Sequence, residues 1–262
     1  MPERTAYKHG VPSWVDLGTS DVEGAKAFYS GLFGWTSEDL PTDVGVAYTM
    51  FSKNGKTVAG AAPLPQELAA RGTPPMWNSY LNVDSVDETI AKVEAAGGHV
   101  AMPAMDVMSS GRMAFVTDPA GAAIGLWQAG DHMGAELVNE AGALTWNELM
   151  TDDTATVQQF FADAIGWDAQ IDEIPQGSYT FFKVGEDIVA GMMQKTPDMG
   201  SMPNYWNIYF AVDDCESVAA KVTDLGGTLV AQPFDTPYGR MAVAQDPQGA
   251  MFSIIQANQP DE

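Results

Sequence analysis

Two carboxylates, Asp16 and Glu148, hold matching places in two similar stretches, Trp14-Val15-Asp16-Leu17-Gly18 and Trp146-Asn147-Glu148-Leu149-Met150. In a β-strand residues two apart face the same side. Val15 and Leu17 carry an apolar side, which leaves Trp14 with Asp16, and Trp146 with Glu148, on the other. The same alternation over Asn78–Val83 sets Leu81 and Val83 apart from Asn78 and Tyr80, and further along it selects Asn207 and Tyr209. A carboxylate beside a phenol and an amide has the parts of a general base with donors for a developing oxyanion. In an aromatic-walled concavity it is equally the polar anchor of a small-molecule site. Withdrawn from water, it has to be solvated, paired or shifted in pKa. Arg112 and Arg240 are two of only four arginines and both stand in Gly-Arg-Met. They are the natural ionic partners of Asp16 and Glu148; the alternative places each on a rim or against a loop. For Trp14 and Trp146 the alternative is plain core.

Other chemistry has little support. The chain has no nucleophile elbow, no phosphate-binding glycine loop and no cysteine-histidine pair. Its single cysteine, Cys215, excludes an intrachain disulfide framework. Twelve basic against thirty-five acidic residues, a formal charge of −23, repel phosphate backbones and anionic lipid, so neither nucleic acid nor membrane is an expected partner. No apolar run approaches the roughly 18 residues of a membrane span. The first ten residues lack the apolar core of a secretory signal, which makes the cytoplasm the expected location.

The elements that position these residues come from a repeat. Trp14–Trp35 reappears as Trp146–Trp167, residues 74–98 as 204–227, and 111–128 as 239–256. Each copy divides again into two strand-helix-strand modules. In the first, 13–18 reads as a strand, Ser20 or Asp21 caps a helix, and Val22, Ala25, Phe28, Tyr29 and Leu32 share one helical face. Val46–Ser52 and Lys56–Ala62 form a hairpin around Asn54-Gly55. The second module places a strand at 78–83, a helix at 85–96, and strands near 99–106, 111–117 and 122–129. The reading is α+β: four βαβββ modules in two domains, 11–130 and 144–257, each a curved mixed sheet forming a cup covered by helices. A polar linker, 131–143, contains Gly134 and Gly142, and a cut there is expected to release two foldable halves. Trp77 and Trp206 are expected at module junctions, and Trp35 and Trp167 at helix ends.

Paired βαβββ modules, the Ala-x-x-Phe-Tyr-x-x-Leu-Phe-Gly-Trp helix and two Asp-Pro-x-Gly turns (118–121 and 246–249) resemble the glyoxalase, bleomycin-resistance and extradiol-dioxygenase superfamily. More narrowly, the tandem pattern is similar to actinobacterial glyoxalase-like proteins often labelled hydroxylases. The resemblance implies a cup holding a metal on His, Gln or Glu side chains at the opening and closing strands of each module. Here those places read Trp14, Gly60, Asn78 and Gly125 in one copy, and Trp146, Gly191, Asn207 and Ser253 in the other.

Indole and glycine offer no side-chain lone pair to a divalent metal. His9, His99 and His132 have no partners in the repeat and cannot replace the lost ligands; Asp16 or Glu148 would anchor any nonstandard site. No metal and no cofactor are therefore expected. The residues expected to bind ligand are Trp14, Asp16, Asn78, Tyr80, Arg112, Trp146, Glu148, Asn207, Tyr209 and Arg240, with Met50, Met102, Met105, Met192 and Met193 as adaptable neighbours. The leading reading is a metal-independent protein that sequesters a hydrophobic or aromatic metabolite. The other is an enzyme of the same fold, a lyase, isomerase or hydroxylase-like activity on a small carbonyl or aromatic substrate. Covalent duplication makes the chain resemble a fused dimer, for which a monomer suffices.

Overall fold

Asp21 accepts a hydrogen bond from the Gly24 amide and opens α1 (Val22–Phe33), which Gly34 closes in the left-handed conformation at φ 74°. An aspartate N-cap and a glycine C′ are the local signals that fix such a helix. Asp153 and Gly166 do the same for α4 (Thr154–Ile165). Ser85 caps α3 (Val86–Ala95) and Asp214 caps α5 (Cys215–Asp224). A short α2 (Gln66–Ala70), not expected from the sequence, precedes the second module.

In the computed structural model, which describes residues 3–42, 45, 47–174 and 177–258, sixteen strands surround these helices. They are β1 (Pro12–Thr19), β2 (Thr36–Leu40), β3 (Tyr48–Lys53), β4 (Lys56–Pro63), β5 (Met76–Asn82), β6 (His99–Val107), β7 (Gly111–Thr117) and β8 (Ala123–Ala129) in the first half. The second half supplies β9 (Leu144–Thr151), β10 (Asp168–Ile174), β11 (Gly177–Val184), β12 (Asp187–Gln194), β13 (Tyr205–Ala211), β14 (Thr228–Thr236), β15 (Gly239–Gln245) and β16 (Met251–Ala257). The expected hairpin is β3–β4, turning through Asn54 and Gly55 at φ 52° and 73° as a two-residue loop requires. Val46, its expected first residue, lies outside the described residues.

Each half is one eight-stranded sheet, ordered β2-β3-β4-β1-β5-β8-β7-β6 and β10-β11-β12-β9-β13-β16-β15-β14. The modules of a half join where β1 meets β5, and β9 meets β13, antiparallel. Their outer neighbours β4, β8, β12 and β16 run parallel to them. Both Asp-Pro-x-Gly turns use the aspartate to accept an amide, Ala122 onto Asp118 at 3.0 Å and Ala250 onto Asp246 at 2.9 Å.

The helix-bearing faces of the two sheets pack against each other, so each core is shared between halves. One joins Phe28, Tyr29 and Trp35 of the first module, with Trp77 on the opening strand of the second, to Phe210, Val222 and Phe252 of the fourth. The other joins Leu81, Val93 and Leu126 of the second to Phe161 and Trp167 of the third, with Trp206 on the opening strand of the fourth. Trp77 and Trp206 thus lie at the junctions, and Trp35 and Trp167 at the helix ends, as expected. Ser79 Oγ donates to Asn147 Oδ1 across the buried divide at 2.7 Å. The apolar face of either half alone would therefore be uncovered, which bears against the expectation that a cut in the linker releases two foldable halves.

Candidate functional site

Strand register brings the cup residues into two rows. Gly60, Asp16 and Asn78 lie side by side on β4, β1 and β5, and Trp14, Tyr80 and Gly125 on β1, β5 and β8. Gly191, Glu148 and Asn207 repeat the first row, and Trp146, Tyr209 and Ser253 the second. The sequence pattern therefore brings Trp14, Asp16, Asn78 and Tyr80 together in one cup, and Trp146, Glu148, Asn207 and Tyr209 in the other.

Asp16 accepts hydrogen bonds from Asn78 Nδ2 at 2.9 Å, Tyr80 Oη at 2.9 Å and Tyr48 Oη at 3.2 Å. Tyr48 Oη in turn accepts from Trp14 Nε1 at 2.9 Å. Glu148 accepts from Tyr179 Oη at 2.8 Å and Tyr209 Oη at 2.6 Å, and Tyr179 Oη accepts from Trp146 Nε1 at 2.9 Å. Withdrawal from water pushes both carboxylates above the usual range, and the donors, Asn78, Tyr80 and Tyr48 for Asp16, Tyr209 and Tyr179 for Glu148, offset this only in part. Burial, and then the facing carboxylate, raise Tyr48, Tyr80, Tyr179 and Tyr209 as well, so the phenols stay protonated donors.

The halves differ at the amide. Asn207 Nδ2 donates to Ser253 Oγ at 2.9 Å rather than to the carboxylate, and its buried Oδ1 has no partner among the described residues. The longer Glu148 reaches its tyrosines without the amide, and Ser253, standing where the first half has Gly125, provides the competing acceptor.

Arg112 and Arg240 are a correction. Arg112 pairs with Asp87 at 3.0 Å and Asp106 at 2.8 Å; Arg240 pairs with Glu216 and, at 2.8 Å, with Asp235. Neither reaches a cup carboxylate. Strand alternation is the reason: Arg112 shares its side of β7 with Ala114 and Val116, which are buried under the helices, whereas Met113 and Phe115 pack toward the cup. Arg240 likewise shares its side with Ala242 and Ala244. Each arginine thereby ties its strand to the first turn of a helix. The methionines divide too: Met50 packs toward the first cup, Met192 is core, and Met105 is 45% exposed.

Tyr48 and Tyr179 are the site residues that sequence reasoning missed, although the repeat carries them at equivalent strand positions. They settle how the family's metal positions are used. A Cβ added at Gly60 would run into the Tyr48 hydroxyl, one at Gly191 into that of Tyr179, and one at Gly125 into the Tyr80 ring. Phenols thus fill the space in which a ligating side chain would begin, and each cup offers one carboxylate with indole and amide. Among the described residues no three His, Cys, Asp or Glu side chains come together. This donor set does not fit the family's metal.

The linker treats the two cups unequally. Ala135 and Val138 are buried against Trp14, Tyr80 and Trp127, and His132 sets its ring edge-on to Trp14 with centroids 4.5 Å apart. The Ala135 amide donates to Ser13 O at 2.7 Å and the Glu136 amide to Thr57 O at 2.8 Å. Trp14 is consequently only 4% exposed, so it is core, whereas Trp146 is half-buried and lines an open groove of about 390 Å³ beside the N-terminal arm.

Fold and cups together define a tandem cup protein, and the chain belongs to the glyoxalase/bleomycin resistance protein/dioxygenase superfamily. Residues 12–126 match that family's model, and residues 134–255 match one described as a glyoxalase-like domain. "Putative glyoxylase CFP32" of Mycobacterium tuberculosis is 48% identical over 258 residues, covering 97% of this chain and 98% of that protein. "Anthracycline biosynthesis protein DnrV" of Streptomyces peucetius is 36% identical, covering 96% and 95%. Among solved structures, the Mn(II)-bound glyoxalase from Novosphingobium aromaticivorans superposes with a TM-score of 0.64 at 16% identity, covering 97% of this chain and 87% of that one. Homoprotocatechuate 2,3-dioxygenase from Arthrobacter globiformis gives 0.65 at 14% identity, covering 98% and 83%. These structural matches concern the fold. Among the described residues no helix is long and apolar enough to cross a membrane.

Proposed function

We propose that this protein binds a small hydrophobic or aromatic molecule without a metal. The observation that carries this reading is the tyrosine packing over Gly60, Gly125 and Gly191, which fills the ligand positions with phenol rings and turns the cup polar groups toward one another. What is left for recognition is aromatic surface with a few hydrogen-bonding groups, the usual makeup of an organic-ligand site. A relative named for anthracycline biosynthesis is in keeping with a flat aromatic ligand. Elemental analysis of untagged protein tests the reading: the expected metal content is far below one per chain, and stoichiometric Zn, Ni, Fe or Mn overturns it.

One observation favours a second reading, an enzyme. Asp16 and Glu148 each face two phenol donors, and among the described residues neither is paired with a cation. A carboxyl held above its ordinary pKa is a candidate to exchange a proton with a bound substrate. Solvent-hydrogen exchange into a bound carbonyl compound, lost in Glu148→Gln and Asp16→Asn, would establish this reading over simple binding.

A further inference from the structure

The repeat makes the protein its own comparison. In the first half the linker fills the notch between the start of β1 and the start of β4: its amides bond Ser13 O and Thr57 O, Val138 packs inward, and the His132 ring stands edge-on to Trp14. The matching notch of the second half, between the starts of β9 and β12, is the groove lined by Thr145, Trp146, Ile188 and Val189. The linker lines this groove with Val138 and Asn139, and the N-terminal arm lines it with Arg4, Ala6, Tyr7 and Lys8, the last paired with Asp187. The ring nearest Trp146 among the described residues is Phe181, at 6.4 Å, so none takes the place that His132 takes on Trp14. Ile188, on the groove wall, is 48% exposed.

We infer that the second half alone takes ligand, one per chain. The ligand is a flat, uncharged aromatic molecule whose ring stands on Trp146 as His132 stands on Trp14. This rests on the binding function proposed above and assigns it to the groove beside the second cup, which shares Trp146 with that cup. The imidazole on Trp14 shows what the notch accepts: a planar ring edge-on to indole, a geometry that aromatic pairs prefer. A volume of about 390 Å³ falls within the range of small-molecule sites. Of the cations in the groove lining, Lys8 is paired with Asp187 and Arg4 is exposed on the arm, which leaves the apolar wall of Ile188, Val189 and Leu144 to receive an uncharged ring. The first cup is closed by a segment that is covalently present, and an external ligand would have to displace it.

Titration of the intact protein with N-phenyl-1-naphthylamine, a neutral flat probe whose own emission reports burial, tests the assignment. The expected result is saturable binding of one probe per chain. Ala6→Trp, which fills the groove from the arm, and Trp146→Phe should each weaken it at least tenfold, and Trp14→Phe should leave it unchanged. Circular dichroism and thermal melting verify that each variant folds; should Trp146→Phe misfold, Ala6→Trp carries the comparison. Two probes per chain, equal weakening by Trp14→Phe, or full binding in Ala6→Trp would overturn the assignment while leaving the binding function standing. Absence of saturable binding would overturn both.

Discussion

At the residue scale the cups are held by carboxylates that water does not reach freely, and this has a sign. Asp16 and Glu148 hold their protons more tightly in the folded chain than in the unfolded one. Between the ordinary carboxylate pKa and the raised one the folded state carries more protons. The associated stability is therefore complete below the ordinary value and is lost as pH rises through the folded one. Urea unfolding of the wild type and Glu148→Gln from about pH 4 to about pH 8 should show the variant gaining relative stability as pH rises, by about 1.4 kcal/mol for each tenfold tighter hold on the proton. A difference independent of pH would contradict the assignment. The glycines make a second test. Gly60→Ala should cost about 1–3 kcal/mol through overpacking against Tyr48. Tyr48→Ala should relieve most of that cost, which a double-mutant cycle by denaturant unfolding would read as strong coupling.

At the element scale the helix junctions of the two cores are not equally satisfied. Tyr29 Oη accepts from Trp77 Nε1 at 2.9 Å and donates to Asp246 Oδ2 at 3.1 Å, linking α1, β5 and the turn before β16. In the other core the equivalent residue is Phe161, and both Trp206 Nε1 and Asp118 Oδ2 are buried without partners among the described residues. Phe161→Tyr should restore the bridge and stabilise the protein by about 1–2 kcal/mol, because it supplies a donor and an acceptor to groups already desolvated. Tyr29→Phe should destabilise by a similar amount. Thermal melts of both variants check the pair; a destabilised Phe161→Tyr would mean that α4 has no room for the hydroxyl.

At the scale of the whole molecule, the shared cores predict that chain continuity matters less than association. Cleavage between Glu140 and Ala141 in the linker should leave two pieces that co-elute at the mass of the intact chain, because the faces bearing Phe28, Phe252, Phe161 and Leu126 remain buried against each other. A half produced alone should self-associate or unfold. Light scattering after size exclusion distinguishes these outcomes, and separation of the cut pieces without denaturant would show that the halves are independent after all.

Much of this was legible along the chain. The repeat, the helix caps at Asp21 and Asp153, the Asn54-Gly55 hairpin, the Asp-Pro-x-Gly turns and the cup-facing Trp14, Asp16, Asn78 and Tyr80 all follow from local spacing and period-two alternation. The same rule applied to β7 turns Arg112 toward the helices beside Ala114 and away from Asp16. Tyr48 and Tyr179 went unread because their partners lie across a parallel strand pairing that sequence distance does not reveal. The sequence by itself determined the family fold and the loss of metal donors, since both are properties of residue type at a fixed register. Only the tertiary structure decided that phenols close the vacated positions, that the cores join opposite halves, and that the linker seals Trp14 but leaves Trp146 beside open space. Which segment covers a face depends on the path of the chain through space, and two repeats of one fold are placed unequally by the one linker that joins them.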